Sequence, residues 1–273
     1  MASRQRSEIA EVAISAADGT HLLAWNIRPR KGNDNVVILL HGLSDNRMGM
    51  LGYAELLLSH GFTVLMPDAR AHGASGGGLA TYGLLEADDI HPWVEWVQEP
   101  QHSSCIFGFG ESMGAAQLLE SLATEARFCA AAAELPFSSF REIAYDRVGQ
   151  FFHTGPWAGR SILRPMVEVA FRFARWKYHL DFEQVSPDRA VATTHVPVLL
   201  IHGQQDSNIP VRHSRRIRMN NPHLTLWEVP GADHCGAIST ARPEFERRLL
   251  RWFDGHASAT ATSATGEGRS VVW

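Results

Sequence analysis

Two alternating segments open the chain. Residues 9–15 and 21–28 alternate apolar and polar side chains, and Asp18-Gly19 between them is a hairpin turn signal. They predict an antiparallel strand pair at one edge of a sheet. The pattern then changes. Val36-Val37-Ile38-Leu39-Leu40 is apolar without a break, as expected of a strand buried on both faces in a parallel sheet. Comparable runs follow at 62–66, at Cys105-Ile106-Phe107, at the alanine-rich 128–134, at 196–202 and at 224–229. Helical stretches lie between them. One covers 46–60 and is stopped by Gly61; one runs from Asp88 and Asp89 in its first turn to about residue 98; others cover 115–120 and 211–219. A last amphipathic helix over 243–254 sets Phe245, Leu249, Trp252 and Phe253 inward and Arg247, Arg248 and Arg251 outward. Trp93 and Trp96 read as packing residues of the helix that carries them.

The strand-helix rhythm breaks over 136–195. Ser139-Phe140-Arg141-Glu142 fits a capping box. Pro165 starts a further helix with Met166, Val169, Ala170 and Phe173 on one face and Val167, Phe171 and Ala174 beside it. Phe151, Phe152 and Trp157 add aromatics between the two helices. This is an insertion with helical-hairpin character, placed to cover a site, and these three aromatics are its candidate substrate-pocket residues. From Gly255 to residue 273 the chain is rich in Ala, Ser, Thr and Gly, and a disordered tail is expected.

Composition narrows the function classes. At 273 residues the chain can bury roughly three quarters of its surface in one core. A single domain over 1–254, with 136–195 as its insertion, is the simplest division. The net charge of −4, with no long basic run, gives nucleic-acid binding no support. Cys105, Cys129 and Cys235 are odd in number and scattered, and read as free thiols in a reducing compartment. No stretch reaches membrane-span length, and residues 1–6 lack the apolar core of a signal peptide. A cytoplasmic location is expected. No His, Cys or Asp cluster has metal-ligand spacing, so neither metal nor cofactor is expected.

The chemistry centres on Gly108-Phe109-Gly110-Glu111-Ser112-Met113-Gly114. Here a G-x-S-x-G stands where a strand turns into a helix. That context is what makes the motif informative, because it forces the serine into a strained turn above the sheet. A serine hydroxyl needs a base in reach, and the base needs an orienting acid. In an open parallel sheet such groups gather beyond the carboxyl ends of strands. Asp206 follows the strand at 196–202, in the turn Gly203-Gln204-Gln205-Asp206-Ser207. His234 follows the last strand, in Pro230-Gly231-Ala232-Asp233-His234-Cys235-Gly236. The order Ser, Asp, His selects these two from among the chain's 14 histidines and many turn aspartates. Two backbone N–H groups must also meet the oxyanion. Met113 follows the serine. Leu43 lies in the loop after the strand at 36–40, where Gly42 would allow close approach.

These motifs and their order resemble the α/β-hydrolase superfamily over about residues 9–254. The forms His41-Gly42-Leu43 and Gly110-Glu111-Ser112-Met113-Gly114 look most like small bacterial serine esterases and serine-aminopeptidase-like members. The resemblance implies an α/β fold with an eight-stranded, mostly parallel sheet, helices on both faces and a helical cap after strand 6. It implies a serine hydrolase cleaving small-molecule carboxylic esters through an acyl-enzyme. A peptidase or thioesterase with the same triad is the alternative, followed by a non-catalytic binding protein on this scaffold. Related dehalogenases and epoxide hydrolases carry Asp at the nucleophile, dienelactone hydrolases carry Cys, and the His-Gly-Gly-Gly oxyanion motif is absent here. His41 and His202 read as loop-bracing residues, Asp68, Arg70 and His72 as a structural polar network, Glu111 as structural, and Cys235 as a packed thiol.

Overall fold

The computed structural model describes residues 7–101 and 104–266. Eight strands form one sheet: β1 (Glu8–Ser15), β2 (His21–Arg28), β3 (Asn35–Leu40), β4 (Thr63–Pro67), β5 (Cys105–Glu111), β6 (Phe128–Glu134), β7 (Val198–Gly203) and β8 (Thr225–Val229). Their order across the sheet is β1-β2-β4-β3-β5-β6-β7-β8. The hairpin β1-β2 forms the edge, β2 runs antiparallel to β4, and every pairing from β4 to β8 is parallel. The edge pair and the parallel centre are the arrangement its alternating and unbroken runs predict.

The unbroken runs are buried twice over. Val36, Ile38 and Leu40 of β3 face one side, with α2 (Glu86–Gln101), α3 (Met113–Ser121) and α8 (Arg212–Asn220) supplying Ile90, Trp93, Val94, Leu118, Leu119 and Ile217. Val37 and Leu39 face the other side, where α1 (Leu51–Ser59) and α10 (Arg242–Gly266) bring Leu57, Phe245, Leu249 and Phe253. The alanines of β6 leave room on that side, and β5 fills it: Phe107 stacks on Phe253 with ring centroids 4.6 Å apart. Trp93 is buried and Trp96 packs against the same core, as read from the sequence.

Three expectations change. The helix expected over 46–60 is a 3₁₀ turn, Arg47–Met50, capped by Asn46 and followed by α1. The tail does not begin at Gly255, since α10 continues to Gly266; the remainder, 267–273, lies outside the described residues. Cys105 and Cys129 are not free thiols. They form a disulfide between the adjacent strands β5 and β6, with their Cα atoms 5.7 Å apart, within normal bridging range. Sequence spacing showed that each lay in or beside a strand, but not that the two strands are neighbours. Cys235 is the free cysteine.

Between β6 and β7 the chain leaves the sheet to form α4 (Phe140–Phe151), α5 (Gly155–Arg160), α6 (Arg164–Tyr178) and α7 (Pro187–Ala190). Ser139 caps α4 by accepting the Glu142 N–H, as its capping-box sequence predicts. A short α9 (Ala237–Thr240) follows β8. Among the described residues, no helix is long and apolar enough to cross a membrane.

Candidate active site

The turn from β5 into α3 is built around Ser112, whose φ is +54° and ψ −111°. A non-glycine residue with such a φ is strained, and the surroundings hold it there. Its N–H donates to Glu134 O on β6 at 2.9 Å. A Cβ at Gly110 would lie 2.7 Å from Ala115 N, and one at Gly114 would lie 2.7 Å from His41 O. Both glycines are therefore required by contact. Gly42 is different: a Cβ there would meet Ser112 Cβ at an ordinary 3.5 Å, so close approach does not demand glycine at that position. Ser44, Leu135 and Cys235 also have positive φ, so strain gathers in the loops beyond the carboxyl ends of the sheet.

Asp206 and His234 meet. The His234 Nδ1 lies 2.9 Å from Asp206 Oδ2 and 3.1 Å from Oδ1. The buried carboxylate also accepts the N–H groups of Asn208 and Ile209 at 2.8 and 2.7 Å. A carboxylate held on several donors keeps its orientation, and as an acceptor it fixes the ring proton on Nδ1. Asp233 ties the two loops together, accepting the N–H groups of Ser207 and His234 at 2.8 Å each. Sequence reasoning passed over Asp233, whose only signal is its place beside the histidine.

Ser112 and His234 line one cavity of about 580 Å³ beneath the cap. Leu43 and Met113 line it too. Met113 opens α3, where first-turn N–H groups have no partner within the helix. Behind Leu43, His41 Nδ1–H donates to Gly42 O at 2.8 Å, and its Nε2 accepts the Ala69 N–H at 3.0 Å. Burial keeps this ring neutral by lowering its pKa. Across a planar trans peptide the Gly42 carbonyl and the Leu43 N–H point opposite ways, so that bond sets the direction of the Leu43 N–H. His202 is a brace of the same kind: Ser214 Oγ meets its Nδ1 at 2.7 Å and its Nε2–H donates to Ile209 O at 2.8 Å. Asp68 receives Arg47 N–H and Ala74 N–H, and Arg70 forms a paired contact with Asp89 at 2.7 and 2.6 Å. His72 reaches Arg70 O at 2.9 Å. These three residues serve the loops, as expected.

Phe151, Phe152 and Trp157 do not line the cavity. They stand 77, 46 and 71 % exposed on the outside of the cap. Position along the cap, not helix phase, explains this. Phe140, Ile143, Ala144, Arg147 and Val148 follow the i, i+3, i+4 spacing and form the cavity wall, while Phe151 comes at the end of α4 and passes the rim. Phe137, Tyr82 and Ile209 complete an apolar lining.

An acid pair lies under the serine turn. Glu111 and Glu134 are register partners on β5 and β6, and Tyr53 Oη lies 2.8 Å from one carboxyl and 3.0 Å from the other. A phenol has one proton. It donates to Glu111, and the second contact requires a protonated Glu134 to donate back. Burial, with the charge of Glu111 beside it, pushes the Glu134 carboxyl up to about 8. Burial and Glu111 also raise the Cys235 thiol, leaving it an inert packing residue. Glu134 was missed in the sequence, although a carboxylate closing the run Ala130-Ala131-Ala132-Ala133 is a visible signal.

Known proteins share this architecture. In Bacillus subtilis, the uncharacterized protein YqkD is 26 % identical over 266 residues, spanning 94 % of this chain and 83 % of YqkD. The Pyrococcus furiosus esterase Pf2001 superposes with a TM-score of 0.72 at 26 % identity, covering 91 % of this chain and 92 % of that one. Est1E from Butyrivibrio proteoclasticus, solved with ferulic acid bound, shares the fold with a TM-score of 0.68 at 20 % identity, over 89 % of this chain and 99 % of that one. A profile of the Alpha/beta hydrolase family matches residues 37–248. Strand order, strained serine turn and family match agree, and the chain belongs to the alpha/beta hydrolase family.

Proposed function

We propose that this protein is a serine hydrolase that cleaves small-molecule carboxylic esters through an acyl-enzyme. The observation that carries the proposal is the strained Ser112 opening on the same cavity as His234, whose Nδ1 is held 2.9 Å from buried Asp206. Ser112 Oγ attacks the ester carbonyl while His234 Nε2 takes its proton. The Leu43 and Met113 N–H groups hold the oxyanion. Asp206 keeps the Nδ1 proton in place and stabilises the imidazolium. Collapse of the tetrahedral intermediate expels the alcohol, which leaves with the proton from His234. Water, deprotonated by His234, then attacks the acyl carbon, and the acid departs as Ser112 regains its proton. No cofactor takes part in these steps.

The apolar lining suits an acyl or alcohol group of modest size, since small-molecule sites are commonly apolar cavities of several hundred Å³ with few polar groups. The esterase Pf2001, at 26 % identity, supports ester over amide chemistry. A panel of p-nitrophenyl esters of graded chain length, acyl-CoA thioesters and aminoacyl anilides tests the proposal. Ester turnover with the highest kcat/KM is expected. Faster cleavage of the anilides or thioesters would replace it with a peptidase or thioesterase assignment.

A further inference from the structure

The cap helix α6 is apolar over far more than the face it buries. At 100° per residue its positions fall into three stripes. Val167, Phe171 and Ala174 turn inward, where Val167 is buried and Phe171 packs against Phe140 and Phe182. Arg164, Glu168, Arg172 and Arg175 form a polar stripe. Between these, Met166, Val169, Ala170, Phe173 and Trp176 form a second apolar stripe that lies open, with Val169 63 % and Trp176 75 % exposed. The sequence pattern marks this stripe as a core face, yet it packs on nothing in the described chain. Ile162, Trp157 and Phe151 are further exposed apolar residues of the cap, at 73, 71 and 77 %. Exposed apolar residues scattered singly are ordinary, but a full apolar stripe along one helix marks an interaction surface.

Charge identifies the partner. Over 136–195 the cap carries eight Lys and Arg against six Asp and Glu, in a chain whose net charge is −4. Around the open stripe, Lys177 stacks its ammonium 5.3 Å from the Phe173 ring and 5.1 Å from the Tyr178 ring. Neither Arg172 nor Lys177 pairs with a carboxylate among the described residues. An apolar stripe rich in Trp and Phe with a basic rim is the composition of a helix that lies in a membrane interface. A second copy fits less well, because a two-fold contact sets each patch against itself and would bring the cationic rims together.

We propose that the outer face of the cap, centred on Val169, Phe173 and Trp176, is a docking surface for an anionic lipid bilayer. The helix lies flat, its open stripe sunk into the headgroup boundary, with Arg172 and Lys177 on the lipid phosphates. The inner side of the same cap, through α4, walls the cavity that holds Ser112. Docking does not depend on the ester chemistry, and its test reads binding alone.

The full chain is floated with phosphatidylcholine vesicles, with and without phosphatidylglycerol, and its mass is measured without lipid by sedimentation equilibrium. Flotation with the anionic vesicles is expected, and loss of it at about 1 M salt, where the screening length falls to about 3 Å. Val169→Asp with Trp176→Ser should weaken binding by about tenfold or more. Arg172→Gln and Lys177→Gln should each weaken it about fivefold, on anionic vesicles only. These side chains are exposed, and circular dichroism checks that each variant is folded. The proposal is overturned if the wild type does not float with anionic vesicles, or if the apolar double variant binds as well as the wild type. A lipid-free dimer that the double variant dissolves, without vesicle affinity in the wild type, would assign the surface to self-association instead.

Discussion

Among the described residues, two constellations of serine, histidine and aspartate stand in contrast, differing in almost everything except residue type. In the first, His234 reaches Asp206 and shares a cavity with Ser112. In the second, Ser138 Oγ lies 2.9 Å from His213 Nδ1, and His213 Nε2 lies 2.8 Å from Asp146 Oδ2. By contact geometry alone the second is the more complete. It is also fully buried, with Ser138, His213 and Asp146 all closed to solvent, and none of them lines the cavity. The Ser138 backbone N–H also donates to His213 Nδ1, and Asp146 is paired with Arg160 and Arg212. This cluster pins the cap helix α4 to α5 and to α8. Hydrogen-bonded Ser, His and Asp are thus not sufficient for catalysis. Access, a serine held in a strained turn and free N–H donors nearby separate a proposed active site from a rivet.

Substitutions in the two clusters should therefore fail in different ways. The largest effect is expected for Ser112→Ala, a fall in ester kcat/KM of about 10⁵- to 10⁶-fold with the melting temperature little changed. Asp206→Asn should follow, costing about 10⁴-fold in kcat because the imidazole loses the partner that fixes its tautomer. Both are read by steady-state kinetics on the best p-nitrophenyl ester. In the rivet, Asp146→Ala should instead lower stability by about 3–5 kcal/mol in urea unfolding, since it strands His213 and two arginines. Equal losses of activity and stability from both aspartates would erase the distinction.

The acid pair beneath Ser112 gives a pH-dependent contrast. Glu134 holds its proton in the fold up to about pH 8, whereas in the unfolded chain it titrates near 4.5. Across that window the unfolded chain releases a proton that the fold retains, so stability falls as pH rises from 4.5 and levels off above 8. Glu134→Gln removes this contribution. Its melting temperature should decline less than that of the wild type between those limits, by differential scanning calorimetry. Identical pH profiles would mean that Glu134 is ionised in the fold. The smallest effect is expected for Ser138→Ala, a loss of about 1 kcal/mol for one hydrogen bond, with ester turnover retained.

The sheet and the first constellation could be read from the residues because each leaves a local mark. Val36 to Leu40 and the other unbroken runs announce doubly buried strands, and Ser112, Asp206 and His234 each follow the end of one. What escaped depends on which strands and helices become neighbours. The Cys105–Cys129 bond, the pairing of Glu111 with Glu134 and the Ser138–His213–Asp146 rivet all join residues whose adjacency only the folded chain creates. The cap illustrates a further limit. Periodicity marks both apolar stripes of α6, but a helix pattern does not say which stripe meets protein, nor that Phe151, Phe152 and Trp157 lie outside the cavity.

The most direct test of the central claim is to treat the folded protein with a fluorophosphonate and map the adduct by peptide mass spectrometry. A single adduct on Ser112, absent from His234→Ala and undiminished in Ser138→Ala, is the predicted result. An adduct on Ser138, or a folded protein that takes no label at Ser112, would contradict it.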